Sequence, residues 1–166
     1  MGKPFILAII ATAILLSGCT QQPNPGKTTV ASGDTISVEY KGTLQDGTEF
    51  DSSEGKQPLE FVAGTGQMIQ GFDATVIGMA LDEEKTVTIP PEKAYGQYDN
   101  TKLVELPKSQ FADPDKMVVG LPVHASNGVN GVVTEIKDDS IVVDFNHPLA
   151  GKTLTFWIKV VKIVKA

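Results

Sequence analysis

The chain has 166 residues, of which 41% are hydrophobic and 20% are charged. This is enough for one ordinary globular domain or two small ones, and disorder throughout is excluded. The formal net charge is −6, from 14 basic and 20 acidic residues, and every basic residue is lysine. Nucleic acid is therefore a poor partner for this chain, because phosphate recognition uses a basic face and commonly arginine.

The amino-terminal residues have the pattern of an export signal. Lys3 gives a positive start, and a nearly unbroken apolar run follows over residues 5–16. A membrane-spanning helix needs roughly 20 apolar residues, so this run is short for a span. Leu16-Ser17-Gly18-Cys19 resembles the cleavage box of a lipoprotein signal peptide, in which Cys19 receives lipid and becomes the new amino terminus. An ordinary secretory signal and an uncleaved membrane anchor are the alternatives.

We therefore expect a lipoprotein signal peptide at 1–18 and an extracytoplasmic protein held on a membrane through Cys19. Cys19 is the only cysteine, so the mature chain would keep no thiol for a disulfide, a metal or nucleophilic chemistry. Residues 19–32 are predicted to form a flexible tether, because they are polar and rich in Pro, Gly, Ser and Thr. We expect the folded part to begin near Gly33.

The first predicted element after the tether is a β-hairpin. Apolar and polar residues alternate over 36–44, which indicates a strand with one buried face. Gly42 interrupts this face, and a glycine there usually marks a bulge or a close approach to the backbone. Asp46-Gly47 favours a tight turn, so the chain should return over 49–51. Tyr40 and Phe50 would then share a face.

Three further elements follow in chain order. Residues 59–63 can add a short strand, and 85–89 are β-branched and strand-like until Pro90-Pro91 stops them. Between them, apolar residues recur at three- and four-residue spacing, which predicts a short helix that Gly78 helps to end. The residues of this helical stripe are Ile69, Phe72, Val76 and Met79.

The hairpin sequence VEYKGTLQDGTEFDSS, residues 38–53, resembles the first hairpin of the FKBP-type peptidyl-prolyl cis-trans isomerases. Three more blocks of the chain resemble the same family in the same order, at 59–79, 90–96 and 149–163. The resemblance implies an α+β fold in which an antiparallel sheet wraps on a short helix. The isomerase domain would consist of 33–96 and 148–166.

Residues 97–147 form an insertion between two of these blocks, and we expect a small β-rich domain inserted in the flap. Both ends of the insertion resemble the insert-in-flap domain of SlyD-like isomerases, which use it as a chaperone surface. The His- and Cys-rich tail of some SlyD proteins has no counterpart here, so no metal role follows. Strand signals fall at 103–106, 117–119, 123–125, 129–136 and 141–145, and turn signals at Asn127-Gly128, Asn130-Gly131 and 137–140.

The family resemblance also implies a substrate cleft. Tyr95 would donate a hydrogen bond from its hydroxyl to a substrate carbonyl, and the backbone N–H of Ile69 could do the same. Asp51 would accept a hydrogen bond from Tyr40 rather than act as a base, because the reaction transfers no proton. Phe72 would form the floor, where relatives often have Trp, and Met68 stands where an aliphatic residue is usual. The catalytic residues implied are Tyr40, Asp51 and Tyr95, and the substrate-binding residues are Phe50, Met68, Ile69, Phe72 and Phe156.

This chemistry needs no nucleophile, metal or cofactor. Amide resonance gives the X-Pro bond a barrier of roughly 18–20 kcal/mol, and an apolar pocket disfavours the charge-separated planar amide. Gly64-Thr65-Gly66 lacks the lysine and spacing of a phosphate-binding loop. His124 and His147 have no cysteine or second histidine at ligand spacing, so both are interpreted as structural.

The leading hypothesis is a lipid-anchored, monomeric isomerase that helps exported proteins fold and holds unfolded chain on its insertion. Its partners would be Pro-containing or unfolded polypeptides and, through the lipid, a membrane. One alternative is a non-catalytic chaperone or adaptor that keeps the fold and only binds peptides. A purely structural lipoprotein is the third interpretation.

Overall fold

The computed structural model describes residues 28–125 and 128–166 of the chain. The predicted signal peptide, Cys19 and the turn residue Asn127 lie outside these residues. In the described part of the chain, no helix is both long enough and apolar enough to cross a membrane. The elements are β1 (Thr35–Leu44), β2 (Glu49–Ser52), β3 (Leu59–Val62), α1 (Gln70–Val76), β4 (Glu84–Ile89), β5 (Leu103–Pro107), β6 (Pro122–His124), β7 (Asn130–Ile136), β8 (Ser140–Asp144) and β9 (Leu154–Val164).

Five strands form the first sheet, which is antiparallel: four have the order β2-β1-β9-β4, and β3 pairs with β1 beside this path. The long strand β1 pairs along its whole length with β9, from Thr35 opposite Val164 to Leu44 opposite Leu154. On its other edge, β1 pairs with β3 in its first half and with β2 in its second half. The last strand of the chain therefore lies in the middle of the sheet, between β1 and β4.

The helix α1 packs its apolar stripe against this sheet. Phe72 and Val76 are 3% and 0% exposed, and they join Ile36, Ile158 and other strand residues in one core cluster. The helix ends one turn earlier than the apolar stripe, and Gly78 adopts a φ of 83° that favours glycine. Met79 follows this turn and is still only 1% exposed. The mostly antiparallel sheet with one helix agrees with the fold expected from the sequence.

The predicted first hairpin is confirmed. Gly47 adopts a φ of 83° in the turn, and its N–H donates to the Leu44 carbonyl at 3.0 Å. Gly42 sits at a register shift between β1 and β2, as expected for a bulge. A Cβ atom at Gly42 would lie 2.6 Å from Cζ of Phe50. The glycine is therefore required because an aromatic ring packs directly on the backbone.

A second antiparallel sheet of four strands lies between β4 and β9 in the sequence, with the order β5-β8-β7-β6. The predicted hairpin at 137–140 is confirmed, because it joins β7 to β8 and the Lys137 N–H donates to the Ser140 carbonyl at 2.9 Å. Val133, Ile141 and Val143 form a small buried cluster of their own. The second sheet therefore has a core separate from that of the first.

Two predictions in this region are wrong. Residues 117–119 form no strand, because Pro114–Lys116 is a 3-10 turn and Gly120 forms a second turn with a φ of 89°. The segment between these turns is too short to pair, and Val119 is 64% exposed. Asn130-Gly131 is not a turn but the start of β7. Gly131 is needed there because a Cβ atom would lie 2.6 Å from Val143 Cγ1.

The packed part of the chain begins before Gly33, within the segment assigned to the tether. Val30 is 2% exposed, and its N–H donates to the Met79 carbonyl at 2.8 Å. The buried Asp34 carboxylate accepts from Lys165 Nζ at 2.6 Å and from the Ala166 backbone N–H at 3.2 Å. The two ends of the described chain are therefore held together at one side of the first sheet.

Candidate active site

Four aromatic rings contact one another between β1, β2, β9 and α1. The Phe156 ring centroid lies 5.2 Å from that of Phe72 and 5.5 Å from that of Phe50, and both contacts are edge-to-face. The Tyr40 ring centroid lies 6.2 Å from that of Phe72, in an edge-to-face contact, and 6.4 Å from that of Phe156, in a tilted contact. These are preferred distances for aromatic pairs, so the rings support one another. The fold brings these four predicted site residues together.

The depth of the four rings differs. Phe72 and Phe156 are 3% and 6% exposed, whereas Phe50 and Tyr40 are partly exposed. Phe72 therefore lies beneath the cluster, at the position expected for a floor. Gly42 makes the arrangement sterically feasible, because a Cβ atom there would lie 2.6 Å from Phe50 and 3.0 Å from Phe156.

A tyrosine–carboxylate pair lies at the open side of the rings. The Tyr40 hydroxyl donates to Asp51 Oδ2 at 2.6 Å, which is the hydrogen bond expected from the sequence. The other carboxylate oxygen, Oδ1, accepts from the Ser52 backbone N–H at 2.9 Å and lies 3.5 Å from Lys56 Nζ. The Asp51 side chain is 49% exposed, so the pair faces solvent beside an apolar cluster.

This pair keeps a fixed protonation state over a wide pH range. Burial of the ring, followed by the hydrogen bond to Asp51, raises the pKa of Tyr40 to about 12. The same hydrogen bond holds the pKa of the Asp51 carboxyl below its usual range, with a smaller contribution from Lys56. At neutral pH, Tyr40 is therefore a neutral donor and Asp51 an ionised acceptor.

Met68 and Ile69 border the same core on the loop between β3 and α1, where both are partly buried. Ile69 is the residue before the first helical turn, and an N–H at that position has no partner within the helix. The loop is anchored by Asp73, whose carboxylate accepts from the backbone N–H groups of Gly64 at 2.7 Å and Gly66 at 2.9 Å. Asp73 therefore fixes the backbone that carries these two site residues.

Tyr95, the third predicted catalytic residue, lies on the segment that follows β4. It follows the 3-10 turn Pro91–Lys93 and is 39% exposed. Its ring stacks on His147 at a centroid distance of 3.9 Å with an interplanar angle of 2°. An electrostatic contribution from Tyr95 is also the smallest of the causes that raise the pKa of Tyr40.

The comparisons with known proteins agree with this geometry. The family model of the FKBP-type peptidyl-prolyl cis-trans isomerases matches residues 26–161, which is most of the chain. The chain belongs to this family. Its activity is therefore peptidyl-prolyl cis-trans isomerisation, and its substrates are Pro-containing polypeptides. The family membership favours an enzyme over the non-catalytic binding module and the structural lipoprotein that the sequence left as alternatives.

The individual relatives of this chain are also named as peptidyl-prolyl cis-trans isomerases. The short-type peptidyl-prolyl cis-trans isomerase of Methanocaldococcus jannaschii is 42% identical over 146 residues, covering 79% of this chain and 92% of the relative. A probable FKBP-type 16 kDa isomerase of Pseudomonas fluorescens is 35% identical over a region that covers 77% of this chain and 87% of the relative. The isomerase SlyD of Pasteurella multocida is 33% identical over a region that covers 80% of this chain and 68% of the relative. The chain is thus similar to both short-type and SlyD relatives.

Three residues that the sequence did not assign to the cleft contact or support its predicted residues. Phe61 extends the aromatic cluster, since its ring centroid lies 6.0 Å from that of Phe72. Asp73 anchors the loop that carries Met68. An acidic residue in the first turn of the helix was the sequence signal that could have indicated this role. His147, for which the sequence predicts a structural role, stacks on Tyr95. Among the described residues, no cluster of three or more His, Cys, Asp or Glu side chains could hold a metal ion.

Proposed function

We propose that the isomerase twists the X-Pro bond of its substrate over the rings of Tyr40, Phe50 and Phe156, with Phe72 as the floor. The observation that carries this proposal is the edge-to-face ring cluster beside the Tyr40–Asp51 hydrogen bond. A planar amide is stabilised by charge separation, which an apolar surface solvates poorly. The twisted amide has less of this separation, so the cleft favours it over the ground state.

In this proposal, the polar groups position the substrate and transfer no proton. Tyr95 donates its hydroxyl hydrogen to a substrate carbonyl, and the Ile69 backbone N–H is a second donor at the opposite border. Asp51 is ionised and fixes the Tyr40 hydroxyl, which keeps a negative charge beside the twisting bond. Met68 shapes the pocket next to Ile69.

Asp51→Asn tests the role of the carboxylate. We expect kcat/KM on a short X-Pro peptide to fall on the order of tenfold, because hydrogen bonds to charged groups are the strong ones. Asp46→Asn is the matched control, since Asp46 is an exposed carboxylate whose side chain accepts from Thr48 in the hairpin turn. Equal kinetics in the two variants would contradict a site role for Asp51.

We further propose that the second sheet, within residues 97–147, is an insert-in-flap domain that binds unfolded chain. An apolar groove of about 720 Å³ lies on this sheet. Next to the groove residue Met117 in the sequence, Val118 and Val119 are 57% and 64% exposed, and exposed apolar surface that continues a groove is typical of interaction sites. Unfolded polypeptides expose apolar side chains that suit such a surface. The groove is lined by Leu106, Phe111, Met117, Leu121, Val123 and Phe145.

Val119→Lys tests the chaperone proposal, because it places a charge beside the groove without removing a buried group. We expect suppression of aggregation of a reduced, unfolded protein to fall, while isomerisation of a short peptide stays unchanged. Val164→Lys is the matched control, since Val164 is 46% exposed at the end of β9 in the first sheet. The proposal fails if both variants suppress aggregation as well as the parent protein.

Finally, we propose that the isomerase acts outside the cytoplasm as a monomeric lipoprotein that helps exported proteins fold. The support is the sequence Leu16-Ser17-Gly18-Cys19 after a short apolar run. Mass spectrometry of the membrane-extracted protein should find a lipid-modified Cys19 at the amino terminus, and Cys19→Ser should release the protein from the membrane fraction. An unmodified Cys19 in the extracted protein would rule out this anchor.

A further inference from the structure

Tyr95 and His147 meet where the chain leaves the first sheet and where it returns from the second. Tyr95 follows β4 and a 3-10 turn, and His147 follows β8. Their rings are parallel within 2° and their centroids are 3.9 Å apart, which is a stacked arrangement. Both side chains are exposed at the surface, so this contact is not a by-product of burial in a core.

The His147 ring is held in place by its own turn. Its Nδ1 accepts from the Leu149 backbone N–H at 3.1 Å, and its carbonyl accepts from the Ala150 N–H at 2.8 Å. Because Nδ1 is an acceptor, the neutral ring carries its proton on Nε2. The next residue, Gly151, donates its N–H to the Gly96 carbonyl at 2.8 Å. This bond ties the turn to the residue after Tyr95.

The Tyr95 ring lacks a comparable anchor of its own. Within residues 28–125 and 128–166, no group forms a hydrogen bond with its hydroxyl, and the residue is 39% exposed. An exposed tyrosine normally samples several rotamers. The stack on His147 restricts this freedom of the ring and leaves the hydroxyl without a hydrogen-bond partner among the described residues.

We infer that His147 is a positioning residue of the isomerase: it acts through Tyr95 by holding that ring ready to donate to a substrate carbonyl. The inference rests on the proposed role of Tyr95 in substrate binding. Without the stack, the ring must be ordered when substrate binds, and the lost rotamer freedom weakens binding. The effect should therefore appear in KM and leave kcat nearly unchanged.

His147→Ala and His147→Phe in the full chain test this inference with a short X-Pro peptide. Alanine should raise KM about threefold to tenfold, the range that an aromatic pair supplies, and phenylalanine should restore most of the loss by restoring the stack. Lys116→Ala is the control, because Lys116 is an exposed residue of the 3-10 turn Pro114–Lys116 and lines neither the cleft nor the groove, and its kinetics should equal those of the parent. A parent-like His147→Ala, or an impaired His147→Phe that retains its melting temperature, would overturn the inference.

A double-mutant cycle separates this inference from the proposed role of Tyr95. We expect Tyr95→Phe to raise KM, and His147→Ala to add little in the Tyr95→Phe background, because the hydroxyl that His147 positions is then gone. If Tyr95→Phe alone has parent kinetics, the role of Tyr95 fails and the inference fails with it. If Tyr95→Phe raises KM but His147→Ala acts equally in both backgrounds, Tyr95 keeps its role and only the inference on His147 is lost.

Discussion

The two sheets of the molecule differ in how many of their apolar residues are buried. Around the first sheet, thirteen described residues form one buried cluster that includes Phe72, the proposed floor of the cleft. In the second, the corresponding cluster consists of Val133, Ile141 and Val143. Apolar residues around that small core are only partly buried and line an open groove. The apolar residues around the first sheet are therefore mostly buried in a rigid core, whereas many of those in the second sheet remain accessible to solvent.

This difference matches what each region is proposed to do. Discrimination between a planar and a twisted amide requires rings that do not move, and close packing supplies that rigidity. Binding of varied unfolded segments requires apolar surface that can adapt, as flexible Met-containing surfaces do in promiscuous binders. The unequal cores are therefore expected to give unequal local stability.

The largest expected effect comes from the first core. Ile158→Ala empties a position that is 0% exposed on the central strand β9, and such truncations cost about 2–5 kcal/mol. Urea unfolding measures the loss. Val164→Ala on the same strand is the control, because an exposed position should change stability by no more than about 0.5 kcal/mol. Similar values for the two variants would contradict the tight packing ascribed to this sheet.

The equivalent change in the second core should act locally. Ile141 is also 0% exposed, but its cluster is small, so Ile141→Ala should open the second sheet while the first stays folded. Hydrogen exchange should accelerate in β7 and β8 and remain slow in β1 and β9, and short-peptide kcat/KM should stay within about twofold. Simultaneous acceleration in both sheets would show that they unfold as one unit.

A smaller effect is expected at alkaline pH in the cleft. The pKa of Tyr40 is raised to about 12 from the usual 10.0, so the folded state favours the neutral phenol. Its contribution to stability is fully present below about pH 10 and is lost as pH rises towards about 12. The melting temperature of the parent should therefore fall towards that of Tyr40→Phe over this interval. A difference between the two proteins that is independent of pH would contradict the assignment.

The smallest effect is expected at a surface ion pair of the second sheet. Lys137 Nζ lies 2.7 Å from Glu105 Oε2, but the side chains are 41% and 52% exposed. Glu105→Gln should therefore change the free energy of unfolding by less than about 1 kcal/mol, and 1 M salt should reduce the difference further. A larger or salt-independent change would show that this ion pair stabilises the second sheet more than an exposed pair is expected to.

Local sequence signals predicted the elements that local chemistry determines. The β1–β2 hairpin and the β7–β8 hairpin have turn residues between alternating strands, and both are present. The wrong strand at 117–119 has suitable valines, but a proline turn and a glycine turn on either side prevent pairing. β propensity is a weak guide where the flanking turns leave no length for a strand.

Contacts between distant parts of the chain were harder to predict. The roles of Tyr40, Asp51 and Phe156 could be proposed from the family resemblance, and the structure brings these residues together. The stack of Tyr95 on His147 joins segments on either side of the second sheet, and nothing in either local sequence indicates the partner. Such pairs depend on how the chain returns to the first sheet.

The position of β9 has a consequence for synthesis of the protein. β9 lies between β1 and β4 and follows the other described strands in the sequence, so it leaves the ribosome after them. Until then, the inner edges of β1 and β4 have no partner, and Phe156 is missing from the ring cluster. The second sheet, in contrast, is complete when β8 emerges. Folding of the emerging chain should therefore run from the second sheet to the first, and isomerase activity should appear only after β9 has emerged.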